Sequence, residues 1–410
     1  MTVNTFSQFD RKSYFYPDLP MGYQITQLFH PISEHGHLDA FVGDELKRFK
    51  IRRIHIEADA GGSKHSVTKS LIDFNRAGSP LMEIVTEPDF RGKEDVLDYL
   101  KELQKIMRFT GASDADMEKG QLRCDVNISL RPEGSHELRN RVELKNLNSF
   151  QQIGRAIDAE VKRQIEIYDE NGTVDQETRG WDDDAGESHS LRSKEDAMDY
   201  RYFPEPDLMP LAISREWVKE VEKNLPELPE QRRKRYTESL GLSNEDAGIL
   251  TEAKDLSDFF DQTIKLGAPA SDACNWLKGP TMAYLKEAKI EFAETKLTPE
   301  NLHALCAAVT SGKLGSTAAK PLIVELLKDG GDVNKLIDSK GLAQVSDEGP
   351  IRAMVEEVMA RSTQQLEDYK NGKVKLRQYF FGEVMKAAKG KANPTVINKL
   401  LDEMLPETLS

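Results

Sequence analysis

At 410 residues the chain is too long for one ordinary hydrophobic core, so two or three domains are expected. Its 70 acidic and 56 basic residues leave a net charge of −14, which excludes a general nucleic-acid coat, and 31% charged residues spread along a 38% hydrophobic chain exclude wholesale disorder. Cys124, Cys274 and Cys306 lack CxxC spacing, and there is no signal-like N-terminus and no run of ~18 apolar residues; a reduced, soluble, cytoplasmic protein without disulfides or structural zinc is expected.

In chain order, Glu34–His35–Gly36–His37 sets two histidines at i, i+2 with no further ligand nearby, the pattern of a surface turn. Ile51–Asp59 (IRRIHIEAD) alternates as a strand, with Ile54, Ile56 and Ala58 predicted inward and Arg53, His55, Glu57 and Asp59 outward. It runs into Ala60–Gly61–Gly62, where the backbone can turn tightly and approach a ligand closely. Val96, Leu100, Leu103 and Met107, widened by Leu97 and Ile106, predict a helix over Lys93–Phe109, with Glu94 and Asp95 favourably placed at its positive end.

The clearest alternation is Gln121–Leu130 (QLRCDVNISL): Leu122, Cys124, Val126, Ile128 and Leu130 point one way, Arg123, Asp125, Asn127 and Ser129 the other. A turn-rich stretch follows, then RVELKNLNSF, with Val142 and Leu144 opposite Glu143 and Lys145. Together they read as an antiparallel hairpin that brings Asp125, Asn127, Glu143 and Lys145 into one neighbourhood. Carboxylates beside a lysine and an asparagine suit a Mg²⁺–nucleotide site: the cation takes hard oxygen ligands, and the other two offset or orient phosphoryl charge. The same alternation also describes an ordinary sheet with one wet face, and periodicity leaves both open.

From about Glu216 helical patterns take over: Ser257–Ile264, Asp272–Glu287, Pro299–Thr310, Ala318–Leu327, Glu348–Arg361 and Asn393–Met404. Gly312, Gly330–Gly331, Gly341 and Gly349–Pro350 mark the joints, and the two prolines of Asn224–Arg232 mark a first boundary. The expected partition is an α+β (α/β) domain with an antiparallel sheet over 1–224, an all-α domain over 225–340 and a small helical tail over 341–410. Between Lys370 and Lys399 there are eight basic residues (Lys370, Lys373, Lys375, Arg377, Lys386, Lys389, Lys391 and Lys399) against Glu383 alone, a charge of +7 in an acidic chain. That asymmetry is the local footprint of RNA binding, whereas Tyr379, Phe380 and Phe381 within it read as core residues of a helical module. Asn393–Pro394 is a cap followed by Pro at the first helical position.

No P-loop, G-x-S-x-G, HExxH or CxxC motif occurs, so a P-loop ATPase, a self-contained hydrolase and a zinc enzyme lack support. Seven stretches, in order, resemble the B subunit of the aspartyl/glutamyl-tRNA amidotransferase: Phe9–Ile25, Ile54–Gly61, Ser79–Arg91, Leu122–Gly134, Glu143–Phe150, Asp199–Leu208 and Gly382–Pro394. The resemblance implies a cradle domain for ATP, Mg²⁺ and the aminoacyl-tRNA acceptor end, then a helical domain and a tail similar to the YqeY protein, with 260–408 as an alternative single YqeY-like unit. It implies activation of the misacylated side chain of Glu-tRNA(Gln) or Asp-tRNA(Asn) as an acyl phosphate. It also implies ammonia supplied by a glutaminase A subunit and a C subunit that clamps the pair.

Residue by residue, the resemblance implies Glu57 and Glu143 as metal ligands, and Lys12 and Asp125 along the ammonia route. The reading of the residues themselves gives Asn127 and Lys145 to the nucleotide, and the local charge surplus gives Lys373, Lys375, Arg377, Lys386, Lys389 and Lys391 to tRNA. This chain departs from the pattern in two places. The family begins roughly 65–70 residues earlier with a strand whose Glu and His complete the metal site, and Ala58 stands where a second acid often follows Glu57. If those upstream residues were absent from the native protein, the expected alternative is a non-catalytic tRNA-binding scaffold.

Overall fold

The computed structural model describes residues 1–65, 68–193, 199–345, 347–388 and 390–405. The chain divides into two compact units, Met1–Leu228 and Pro229–Ser410. In the first, the strands are β1 (Thr2–Val3), β2 (Phe6–Ser13), β3 (Tyr23–His30), β4 (Ser33–Val42), β5 (Glu45–Ala58), β6 (Gly62–His65), β7 (Ser70–Asp73), β8 (Pro80–Thr86), β9 (Val126–Ile128), β10 (Val142–Lys145), β11 (Glu177–Asp182), β12 (Glu187–Ser193), β13 (Phe203–Pro204) and β14 (Leu211–Ala212). Its helices are α1 (Lys93–Thr110), α2 (Phe150–Asp169) and α3 (Arg215–Asn224).

Three sheets and a small ribbon build this unit. The first has the order β1-β4-β5-β8 and the second β12-β11-β10-β9; β2 pairs β3, β13 and β14 in the third, and β6 pairs β7. Among the described residues of this unit, all strand pairings are antiparallel except β10 with β11. The expected α+β architecture is therefore present. The main core joins the first two sheets to α1 and α2 through Phe49, Ile51, Leu103, Ile128, Leu144 and Ile153. The fully buried Val142 and Leu144 are each worth about 1.5–3 kcal/mol of apolar transfer.

The Lys93–Phe109 helix forms as expected, one residue longer, and stops where Gly111 takes φ 71°, a left-handed cap that a side chain would strain. The predicted hairpin also forms, with Val142 opposite Ile128, Glu143 opposite Asn127 and Leu144 opposite Val126. Its first strand is regular only over Val126–Ile128, because β10 offers a ladder of just four residues. Two expectations are corrected. Glu34–His37 is no turn but part of β4, with His35 kinked to φ 52° and both histidines exposed. In β5, His55 and Glu57 are buried, because β3 lays Gln24 and Thr26 over the face expected to point outward. Ile54 is half-buried on the other side against the main core. Both faces of β5 are covered.

The second unit is helical: α4 (Pro229–Glu238), α5 (Asn244–Leu250), α6 (Lys254–Lys265), α7 (Ala270–Trp276), α8 (Met282–Ala288), α9 (Pro299–Thr310), α10 (Ser316–Asp329), α11 (Val333–Ser339), α12 (Glu348–Arg361), α13 (Thr363–Lys370), α14 (Leu376–Ala387) and α15 (Pro394–Met404). One core runs from Tyr236 to Ile337 and a separate one from Ile351 to Leu401. The single helix expected over Asp272–Glu287 is split by a π-turn at Leu277–Thr281 around Pro280, which cannot donate to the helical ladder. Asn393 caps α15 by accepting from the Thr395 amide, with Pro394 at the first helical position. The three cysteines are free, and among the described residues no helix is long and apolar enough to cross a membrane.

Candidate active site

β5 and β8 pair so that His55 and Glu83 are direct neighbours across the ladder, while Glu57 follows His55 on the same face. The ligand atoms of His55, Glu57 and Glu83 all lie within 4.8 Å of one another. His55 Nε2 is 3.2 Å from both Glu57 Oε1 and Glu83 Oε2. Burial works to lower the His55 pKa, but hydrogen bonding to the two carboxylates outweighs it and leaves the imidazole above its ordinary value; the same imidazole holds Glu83 below the usual carboxylate range. Glu83 keeps a half-exposed side chain, so the group opens to solvent on that side.

Glu57 is held from β3. Its Oε1 accepts from Thr26 Oγ1 at 2.6 Å and its Oε2 from Gln24 Nε2 at 2.9 Å. Charge-assisted bonds of this kind allow a carboxylate to stay inside a fold. Lys12, on β2, lies 4.8 Å from the Tyr200 ring centre and adds positive charge that helps lower Glu83. The Tyr14 and Tyr202 hydroxyls are each pushed up to about 12, first by burial and then by neighbouring groups including Glu57, so they stay protonated as donors.

The second sheet carries a second group. Lys145 Nζ is 2.5 Å from Asp125 Oδ2 and 3.5 Å from Glu143 Oε1, and Thr178 Oγ1 donates to Glu143 Oε2 at 2.9 Å. Asn127 faces solvent opposite Glu143. Burial acts to lower the Lys145 pKa, yet Asp125 and Glu143 together raise it, so the ammonium is kept charged. The structure thus brings Asp125, Asn127, Glu143 and Lys145 together and places Lys12 and Glu57 elsewhere. Among the described residues, the metal-sized group around Glu57 contains His55 and Glu83 and does not contain Glu143, so the expected single pocket is two groups. They are tied by Arg123, two residues before Asp125, whose Nη2 reaches both oxygens of Asp59, two residues after Glu57, at 2.7 Å; Arg76 approaches the same carboxylate at 3.3 Å.

Glu83, Gln24, Thr26, Tyr14, Tyr202 and Thr178 were not singled out from sequence. Glu83, Gln24, Tyr14 and Tyr202 fall in the resembling stretches and Thr26 one residue beyond the first of them, but only strand pairing reveals what they face. His55, Glu57 and Glu83 fit a divalent cation: two carboxylates supply hard oxygens and an imidazole one nitrogen, all within a cation's span.

The basic tail is more neutral than its sequence. Lys373 pairs with Asp368, Arg377 with Asp402, Lys386 with Glu383 and Lys399 with Glu348. Lys370, Lys375 and Lys391 make no ion pair among the described residues, and Lys389 lies outside them. Phe380 is fully buried and Phe381 packs beside it, as core residues should, while Tyr379 remains 37% exposed.

Residues 1–219 match the family model described as the GatB/GatE catalytic domain, and residues 258–405 match that described as the GatB domain. The chain is 46% identical over 405 residues to the B subunit of the aspartyl/glutamyl-tRNA(Asn/Gln) amidotransferase of Staphylococcus haemolyticus (strain JCSC1435), covering 99% of this chain and 85% of that protein. It is 47% identical over 402 residues to the corresponding protein of Shouchella clausii (strain KSM-K16), covering 98% and 84% respectively. The Bacillus licheniformis protein gives the same identity and coverage.

Proposed function

The chain belongs to the GatB/GatE family, and we propose that its Met1–Leu228 unit uses ATP to activate the side-chain carboxylate of glutamate on tRNA(Gln), or of aspartate on tRNA(Asn), and then accepts ammonia to form the amide. A carboxylate is a poor electrophile. Its oxygen attacks the terminal phosphorus of ATP, ADP leaves, and the resulting acyl phosphate has a good leaving group; ammonia then adds to the carbonyl carbon and phosphate departs. The observation that carries the reading is the His55–Glu57–Glu83 group next to Lys12, with Asp59, two residues after Glu57, paired to Arg123, two residues before Asp125 of the second charged group.

His55, Glu57 and Glu83 would hold Mg²⁺, which when bound offsets negative charge on the transferring phosphoryl group. Lys145 and Asn127 would neutralise and orient nucleotide phosphate, with Lys145 shared by Asp125 and Glu143. Lys12 supplies a fixed positive charge for the acyl phosphate, and Asp125 takes a proton from the incoming ammonia nucleophile. The ammonia comes from glutamine hydrolysed by the A subunit of the complex, which the C subunit completes; the assembly works in the cytoplasm. In the tail, Lys370, Lys375 and Lys391 carry the phosphate contact with tRNA, while Lys373, Arg377 and Lys386 are shared with their acidic neighbours.

The test is the assembled complex with Glu-tRNA(Gln), ATP and glutamine. Glu83→Gln and Glu143→Gln should each lower ATP-dependent amidation at least ~10²-fold, the scale of losing one electrostatic stabiliser, with tRNA affinity unchanged. Wild-type turnover in both variants would rule out both groups as essential to activation, and a parent complex that binds tRNA but neither cleaves ATP nor forms the amide would return the chain to the role of an RNA-binding scaffold.

A further inference from the structure

We propose that Gln24 and Thr26 are positioning residues that fix the Glu57 carboxylate in the orientation a divalent cation needs; the inference rests on the metal reading of His55, Glu57 and Glu83. A carboxylate offers about four lone-pair sites on two oxygens. Thr26 Oγ1 occupies one on Oε1 at 2.6 Å and Gln24 Nε2 one on Oε2 at 2.9 Å, both from the β3 side. The remaining sites face Glu83 and His55, whose Nε2 is 3.2 Å from Oε1, and are open to an ion shared among the three side chains. The terminal torsion of glutamate is otherwise broad, so without these two donors the carboxylate plane would turn freely.

The donors are themselves held. Gln24 Oε1 accepts from the Tyr14 hydroxyl at 3.2 Å, and its Nε2 also donates to the Ala58 carbonyl at 3.1 Å, which sets the amide's direction and leaves it little freedom to flip. Thr26 is 3% exposed and Gln24 8%, so water does not replace either bond. In the β2–β3 register Gln24 lies opposite Lys12 and Thr26 opposite Asp10. One hairpin therefore sets both the cationic side chain and the orientation of the anionic ligand. Groups that orient a metal ligand in this way typically govern affinity by 10–100-fold.

A donor that merely solvated a buried charge would affect folding; one that aims the ligand affects cation affinity as well. The experiment measures binding of Mn²⁺ alone to the full chain assembled with its partner subunits, by the loss of the free-ion electron paramagnetic resonance signal, alongside the unfolding midpoint. Thr26→Val keeps the shape and removes the hydroxyl, and should weaken Mn²⁺ binding about 10–100-fold; Thr26→Ser, which keeps the hydroxyl, should restore affinity to within about threefold of the parent. Gln24→Met should act in the same direction and stands in if Thr26→Val does not fold. Glu83→Gln is the reference for losing a ligand. Parent-like Mn²⁺ affinity in Thr26→Val and Gln24→Met, with binding lost in Glu83→Gln, overturns the positioning role while leaving the metal site intact. Indifference to Glu83→Gln removes the metal reading, and this inference with it.

Discussion

Gly61→Ala is the substitution whose cost the structure defines most sharply. A Cβ at Gly61 would stand 2.7 Å from the Asp73 carbonyl oxygen, 3.0 Å from that of Asp18 and 3.1 Å from Phe74 Cδ1. The first two are backbone atoms, and the Asp18 carbonyl already accepts the Gly61 amide at 2.8 Å. The loop cannot retreat without breaking that bond. Overpacking against such atoms costs about 1–3 kcal/mol. The strain falls on the end of β7 and on the segment between β2 and β3, which carries Tyr14 and follows Lys12, so a shift of ~1 Å in that segment should also lower amidation by ~10²-fold. Gly62→Ala is the internal control, because its nearest neighbour would be 3.9 Å away and its cost should stay within about 0.5 kcal/mol. Hydrogen exchange of β5 amides across a urea series reads the stability of this unit apart from the helical one. Equal protection in the Gly61→Ala and Gly62→Ala chains would show that the close approach at Gly61 is not what holds the loop.

Two further outcomes are expected. The buried Glu205 receives a bidentate pair from Arg11, next to Lys12, and the guanidinium's hydrogen bond holds its carboxyl below the usual range. A depressed carboxylate contributes stability present above its unfolded pKa and lost as pH falls through its folded one; thermal melts from pH 7 to 3 should therefore steepen below about pH 4.5 in the parent and flatten in Glu205→Gln, which melts several degrees lower at pH 7, whereas parallel curves would assign the acid sensitivity elsewhere. In the tail, Lys375→Ala with Lys391→Ala should reduce the salt slope of tRNA binding by roughly 1.4–1.8 without changing the melting of the tail, because each released phosphate contact contributes about 0.7–0.9. Arg377→Ala should instead loosen α14 from Asp402 on α15, read as faster exchange of α15 amides; an unchanged slope in the lysine variant returns both lysines to the solvated face.

What was legible in the sequence was whatever one covered face imposes. Val126, Ile128, Val142 and Leu144 alternate because one side of the hairpin is buried and the other is wet, and the polar residues between them fall together as expected. The 20-residue α2 went unread, although Ser149 caps it through the Gln152 amide and Ile153, Ala156 and Ile157 line its buried side; Gly154 and the many polar residues dilute the stripe. The tail misled by locality. Its surplus of +7 is a property of residues 370–399, while Asp368, Asp402 and Glu348, which answer it, come from flanking segments that the fold returns to the same surface.

The β5 face failed for a reason that bears on function. Alternation assigns the apolar side of a strand to the core and the charged side to water, because burying a charge without partners costs several kcal/mol. Here the charged side is inside, and β3 meets it with a glutamine and a threonine in place of apolar side chains. Apolar residues of similar volume at these positions would satisfy packing with no desolvation cost, so stability alone does not favour the arrangement. Nor does the cluster close on itself, since Glu83 remains open to solvent and His55 stands between two carboxylates with one nitrogen to offer them. Under the metal reading proposed above, this set of donors and acceptors, costly to bury, oriented from behind and open at one edge, is an interior shaped around a charged guest, and β5 is where chemistry takes precedence over packing.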